Sequence, residues 1–217
     1  FDLGGSFGEA GDEFGRNLAS GDFDGDGNDE LVVGTPSEDL GSGNSRSDAG
    51  EVTVIRGLSA ISPYFTSATR LTQGAIFGDP NYDQTNDRFG AALATADFDR
   101  DGFEDLAIGI PGEDAGGADR GGFAVLDGGA GGLYSTFRFL TAGSQGIPPA
   151  AQNSADMGAA LTAGDFDGDG HPDLAIGLPY RTAGGIEDAG AETVLFGSLF
   201  SNGFESGSTS DWSAAVP

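Results

Sequence analysis

Three times this chain writes an acidic loop and follows it at once with a short apolar run. The first copy is Asp22-Phe23-Asp24-Gly25-Asp26-Gly27-Asn28-Asp29-Glu30 before Leu31-Val32-Val33-Gly34-Thr35-Pro36. The second is Asp97-Phe98-Asp99-Arg100-Asp101-Gly102-Phe103-Glu104-Asp105 before Leu106-Ala107-Ile108-Gly109-Ile110-Pro111. The third is Asp165-Phe166-Asp167-Gly168-Asp169-Gly170-His171-Pro172-Asp173 before Leu174-Ala175-Ile176-Gly177-Leu178-Pro179. The copies begin at residues 22, 97 and 165, hence 75 and 68 residues apart. Self-similarity on this scale means that each repeat is one structural unit that buries its apolar face against a neighbour.

Carboxylates at alternating positions 1, 3 and 5 of a tight loop converge on one hard cation. Glycine at position 6 permits the turn, and the position 7 carbonyl adds an oxygen. A fourth carboxylate stands here at position 9. The candidate ligands are therefore Asp22, Asp24, Asp26, the Asn28 carbonyl and Glu30 in the first loop. They are Asp97, Asp99, Asp101, the Phe103 carbonyl and Asp105 in the second, and Asp165, Asp167, Asp169, the His171 carbonyl and Asp173 in the third. An EF-hand would need Glu at position 12 and a helix after it. Position 12 of the third loop is Ile176, inside an apolar run bounded by Gly and Pro that reads as a buried strand. These are cation loops entering strands, three in all, with Ca²⁺ the expected ion.

Each loop is preceded by an apolar-glycine step: Phe14-Gly15-Arg16-Asn17-Leu18-Ala19, Phe89-Gly90-Ala91-Ala92-Leu93-Ala94 and Met157-Gly158-Ala159-Ala160-Leu161-Thr162. Each is followed by an alternating segment between glycines: 50–57, 121–128 and 190–197. Period-two alternation of this kind marks strands. Together these residues resemble the FG-GAP repeats of integrin α-subunit propellers and of secreted bacterial proteins. Phe14-Gly15 and Phe89-Gly90 match the first signature of that family, and Gly34-Thr35-Pro36, Gly109-Ile110-Pro111 and Gly177-Leu178-Pro179 match the second. The resemblance implies an all-β chain of three β-propeller blades, a partial or open propeller of four-stranded antiparallel sheets. It also implies Ca²⁺ in the loop between the first two strands of each blade. Two departures stand out: Met157 replaces Phe in the third copy, and Glu30 replaces Asp at position 9 of the first.

The expected organisation is an N-terminal strand and link over 1–13, repeats over 14–74, 75–143 and 144–197, and a tail over 198–217. Phe1-Asp2-Leu3-Gly4-Gly5 resembles the short runs Thr69–Gly74 and Phe137–Gly143, which read as outermost strands. The chain thus starts with an outer strand, while no fourth strand is evident after Phe196-Gly197. Three blades do not close a ring, since closed propellers are typically built from about four to eight. An unpaired strand edge templates pairing with another chain. Residues 1–5 of one molecule are therefore expected to complete the third blade of the next, as a head-to-tail filament or, with two chains, a six-bladed ring. The alternative is a piece cut from a longer secreted propeller, recognising a protein or glycan through its loops. Residues 37–49, 112–120 and Tyr180–Ala189 are polar connectors, and 75–88 and 144–156 are long links into the second and third repeats.

The net charge of −26 argues against nucleic acid or an anionic membrane as partner. Of 35 acidic residues, 12 occupy the ligand positions, so three divalent ions would bring the charge to about −20. Forty glycines and nine prolines suit a turn-rich β architecture. Cysteine is absent, and no apolar run approaches membrane-spanning length. Ca²⁺ loops fill where the ion is plentiful, which together with the resemblance points outside the cell or to its surface. An enzyme needs a nucleophile with a base, an acid/base pair or an open metal position. The single histidine, His171, lies at a carbonyl-ligand position with its side chain expected to face solvent. Acidic groups repeated three times in the same loop context read as ligands rather than as catalytic pairs. The chain is expected to be non-enzymatic.

Overall fold

The structure is a computed structural model that describes residues 9–57, 65–114, 120–133, 136–141, 147 and 155–197. Valine, isoleucine and leucine concentrate at the central strands, where a pleated surface packed on both faces suits branched side chains. The first sheet runs in the order β1 (Asn17–Gly21), β2 (Glu30–Thr35), β3 (Glu51–Arg56) and β4 (Ser67–Leu71). The second repeats it with β5 (Leu93–Ala96), β6 (Asp105–Ile110), β7 (Gly122–Leu126) and β8 (Phe137–Thr141). The third has β9 (Ala160–Gly164), β10 (Asp173–Leu178) and β11 (Ala191–Leu195), three strands among the described residues. Every pairing is antiparallel, and the register repeats: Leu18 faces Val33, and Leu93 faces Ile108. The chain is all-β and forms an open set of blades.

The strand expected over Phe1–Gly5 and the tail over 198–217 lie outside the described residues. Of the runs read as outer strands, Thr69–Leu71 lies in β4 and Phe137–Thr141 forms β8, whereas Gln73 and Gly74, expected to end the first of these strands, open a short helix instead. The link over 75–88 carries structure that composition did not announce. Helix α1 (Gln73–Phe77) starts at Thr72, whose side chain accepts from Ala75 N, and stops at Gly78, where φ is 72°. A 3₁₀ turn, Pro80–Tyr82, follows. Phe77 from α1 stacks on Phe137 of β8 with ring centroids 4.7 Å apart and meets Tyr82 edge-on. The short helix thereby roofs the outer strand of the second blade, which explains why so brief an element persists.

Blades stack by placing a large face on a small one. Leu106, Ile108 and Ile110 of β6 join Val32, Val52 and Val54 of the first blade in one core. Leu174, Ile176 and Leu178 of β10 join Ala107, Phe123 and Val125 of the second blade in another. Close-packed interiors of this kind tolerate little change of volume. The inner strands touch as well: Asn17 Nδ2 donates to the carbonyls of Gly90 and Ala91, and Thr95 Oγ1 donates to Ser20 O. Parallel bridges link Gly50 to Phe89 and Gly121 to Met157, so each apolar-glycine step is seated against the preceding blade. Phe89 and Met157 are consequently fully buried, whereas the equivalent Phe14 is exposed. Met157 fills the place of the phenylalanine, as a flexible apolar side chain can.

The middle glycine of each central strand measures how tightly the next blade approaches. A Cβ on Gly34 would stand 2.5 Å from Gly90 O, and one on Gly109 would stand 2.0 Å from Gly158 O. At Gly177 its nearest neighbour would be the Ala160 Cβ at 3.2 Å. Gly109→Ala and Gly34→Ala should each cost about 1–3 kcal/mol through overpacking. Gly177→Ala should cost less than about 1 kcal/mol, being free of a following blade. Urea denaturation of the three variants checks the ranking; equal losses at all three would contradict the stacking geometry.

Candidate metal centres

Each acidic loop is organised by its own backbone. The position 1 carboxylate accepts N–H groups from positions 5 and 6: Asp22 from Asp26 and Gly27, Asp97 from Asp101 and Gly102, Asp165 from Asp169 and Gly170. Position 3 accepts from position 5, and position 5 accepts from position 7, as in Asp101 with Phe103 N at 2.9 Å. Such Asx turns curl the loop so that its side chains point inward. Glycine stands at position 6 because the turn there needs a left-handed backbone, with φ of 89° at Gly27, 95° at Gly102 and 83° at Gly170.

The structure brings together three carboxylate groups in each loop, with ligand atoms within 4.8 Å of one another. They are Asp22, Asp24 and Glu30; Asp97, Asp99 and Asp101; and Asp165, Asp167 and Asp173. Asp26, Asp105 and Asp169 do not join these sets. Asn28, Phe103 and His171 entered the expectation only through their carbonyls. Three oxygen-donor carboxylates in a turn are suited to a hard divalent cation and to no softer metal. Glu30, with its longer side chain, still lies in the group and accepts from Phe23 N.

The position 9 carboxylate has a second task that the motif alone does not reveal. Asp105 accepts from Phe98 N at 2.8 Å and Gly128 N at 2.9 Å. Asp173 accepts from Phe166 N and Gly197 N, each at 2.7 Å. Each is fully buried and ties the loop entrance to the far end of the third strand. Burial pushes the Asp105 carboxyl up to about 7; the Gly128 and Phe98 N–H groups oppose that rise, and the charge on Asp99 adds to it. Burial likewise raises Glu30 and Asp99, with Asp101 adding to the latter. Arginines stand at the margin: Arg56 is 3.8 Å from Asp24, and Arg138 is 4.0 Å from Asp99.

Adjacent loops also touch, a relation between repeats that no single motif contains. Glu104 N donates to Asp22 O, and Gly129 N donates to Phe23 O. The Phe103 ring lies over Gly25, where an added Cβ would stand 2.6 Å from the ring. His171 occupies the corresponding place against the second loop, its Nε2 3.2 Å from Arg100 Nη1. Its side chain is half-buried, with Nδ1 enclosed and unpartnered, rather than facing solvent as the sequence suggested. The reason is stacking: position 7 of one loop rests on position 4 of the loop before.

At the opposite ends of the central strands, Pro36, Pro111 and Pro179 border a cavity of about 390 Å³ that Arg16, Arg88 and Tyr180 also line. The residue before each apolar-glycine step is left-handed there, with φ of 59° at Glu13, 56° at Arg88 and 49° at Asp156. Arg88 and Asp156 form an ion pair at 3.0 Å between the second and third repeats. No helix among the described residues is long and apolar enough to cross a membrane.

Comparison with known proteins agrees with this architecture. Phosphatidylinositol-glycan-specific phospholipase D of Rattus norvegicus is 34% identical over 170 residues, covering 77% of this chain and 19% of that protein. Integrin alpha-5 of Xenopus laevis is 32% identical over 167 residues, covering 76% of this chain and 14% of that protein. Integrin alpha-PS2 of Drosophila melanogaster is 31% identical over 190 residues, 85% of this chain and 12% of that protein. The chain thus spans a fifth or less of the length of these relatives. The profile of the FG-GAP repeat matches residues 14–55, 89–126 and 157–195, one match for each sheet. With more than half of its residues inside those matches, the chain belongs to the FG-GAP repeat family.

Proposed function

We propose that this chain is a non-enzymatic, extracellular propeller segment, stabilised by Ca²⁺ in its three loops, that serves as a structural or adhesive building block by stacking head to tail on copies of itself. The observation that carries the reading is the outward face of the third blade. Phe23 and Phe98 are fully buried beneath the next blade, yet their equivalent Phe166 is 52% exposed. Beside it β11 has no further strand paired to it among the described residues. At the other end Phe14 is exposed where Phe89 is seated. A blade of the same chemistry fits both ends, and residues 1–5 of a second copy would supply an outer strand beside β11. The lone histidine, engaged by Arg100, supports a non-catalytic role.

Light scattering in millimolar Ca²⁺ should find assemblies whose mass grows with concentration, and Phe166→Ser should shift them toward monomers. A wild-type protein that stays monomeric at high micromolar concentration would sink the assembly reading. It would favour the second reading, a recognition module within a longer surface protein, whose binding face would be the cavity between the proline ends.

Calcium should stabilise the fold by mass action, about 2.7 kcal/mol for each site held at 100 times its dissociation constant. Thermal melts in Ca²⁺ and in chelator should therefore separate clearly. Asp24→Asn, Asp99→Asn and Asp167→Asn should each remove part of that gap; identical melts with and without the ion would refute cation binding in the loops.

The cation-free protein should also respond to pH. Asp105 and Asp87 are both pushed up to about 7 by burial, above the ordinary value of 3.8. Between those values the folded chain holds protons that the unfolded chain has lost, so stability falls as pH rises from about 4 to about 7. Below that window both states are protonated and the effect is absent. Denaturation midpoints in chelator should follow this slope, and bound Ca²⁺ should flatten the share due to Asp105.

A further inference from the structure

The two junctions inside the chain share one docking device. The apolar-glycine step of the incoming blade lies beside the glycine just before the third strand of the preceding blade. Phe89 N donates to Ala49 O at 3.0 Å, and Met157 N donates to Arg120 O at 3.2 Å. The glycines beside those acceptors, Gly50 and Gly121, are left-handed, with φ of 85° and 75°. Neither leaves room for a side chain: an added Cβ would stand 2.4 Å from Phe89 O and 2.3 Å from Met157 O, respectively.

The third blade carries the same socket, open to solvent. Asp188-Ala189-Gly190 repeats Asp48-Ala49-Gly50 residue for residue, and the backbone follows it. At Asp188 φ is 51° against 50° at Asp48, and at Gly190 it is 76° against 85° at Gly50. The floor of the socket matches the second blade: an added Cβ would lie 3.2 Å from the Ala160 Cβ at Gly177 and 3.2 Å from the Ala92 Cβ at Gly109. At Gly109 the Gly158 carbonyl of the next blade then comes to 2.0 Å, whereas the nearest atoms at Gly177 and Gly190 all belong to the third repeat itself. An open groove of about 490 Å³ is lined by these two glycines, with Ala189 and Ala160 beside them. Ala189 is exposed where Ala49 is buried, and its carbonyl accepts no N–H among the described residues.

On the first blade the matching plug is already folded. Gly15 N donates to Gly34 O at 3.2 Å, as Gly90 N does to Gly109 O and Gly158 N to Gly177 O, both at 3.1 Å. The three glycines have φ of 84°, 88° and 87°. Yet a Cβ on Gly15 would meet nothing within 4 Å, while one on Gly90 would meet Glu51 O at 2.9 Å and one on Gly158 would meet Gly122 O at 2.2 Å. We propose, resting on the head-to-tail stacking above, that Phe14-Gly15 of one copy seats in the Gly177–Gly190 groove of the next. Phe14 N then donates to Ala189 O, and Gly15 O lies over Gly177. The occupant is this chain's own first blade because the groove repeats the surfaces on which Phe89 and Met157 already sit, and Phe14 is the step without such a seat among the described residues. A plug and a socket that both hold the bound shape before contact lose little conformational freedom on meeting.

Light scattering of the whole chain in millimolar Ca²⁺, with two blocked variants, tests the contact. Gly177→Ala puts a Cβ where Gly15 O must lie, and Phe14→Ser removes the ring of the plug. Both positions are open in the single chain, so each variant should melt close to wild type in dilute solution. Each alone should assemble at least about tenfold less tightly than wild type. Mixed, they should form dimers with one copy of each, because the intact plug of one fits the intact socket of the other and neither can extend the stack. Two variants that remain monomeric when mixed would overturn the contact. So would variants that assemble as tightly as wild type, and stacking through other surfaces would then stand. A wild type that stays monomeric at high micromolar concentration overturns the stacking reading and this contact together.

Discussion

The fold depends on one buried carboxylate per blade, placed where the acidic loop becomes the central strand. Asp105 accepts from Phe98 N on one side and from Gly128 N on the other, so a single side chain fixes the entrance of its own loop and the exit of β7. Asp173 repeats this in the third blade. Buried backbone donors must find acceptors, and a carboxylate supplies two of them in opposite directions. The arrangement would be costly for an isolated charge, as the raised value of Asp105 attests. The divalent ion proposed for the same loop would reverse that balance. On that proposal, the pairing of local structure with ion binding would follow from where position 9 sits, not only from the number of acids around it.

Stacking imposes the second constraint, and it is directional. The middle central strand, β6, offers branched side chains toward the blade before it and alanine and glycine toward the blade after it. Ile108 therefore fills the first interface, while Ala107 and Gly109 admit the third repeat. Contacts that run only between neighbours make the chain a linear array whose ends differ from its middle. The burial of β6 throughout, against the partial exposure of β10, expresses the same fact. An end of such an array keeps the shape of an interface after the partner has gone.

The part of this that was legible in the sequence is the part that is local. Spacing of the carboxylates, the glycine at position 6 and the apolar run after Asp173 all lie within a dozen residues, so their geometry is written in one place. Strand order followed from the same phase repeated three times. What was not legible requires residues far apart. Helix α1 has five residues and little periodicity, and it exists because Phe77 finds Phe137 in another strand. His171 was expected in solvent because its own loop gives no hint of Arg100, 71 positions earlier.

Contact between loops adds a further consequence. The first two loops are joined by a backbone bond from Glu104 to Asp22 and by the Phe103 ring over Gly25. In the third repeat position 8 is Pro172, which has no N–H, so the bond corresponding to Glu104 N cannot form with Asp97 O. The second and third loops meet instead through His171 and Arg100, two side chains near the surface. A backbone tether to a ligand-bearing residue transmits a shift in loop geometry more directly than a half-exposed side-chain pair does. Ions in the first and second loops should accordingly influence each other's affinity more than ions in the second and third. The asymmetry comes from one imino acid in a chain whose repeats otherwise match.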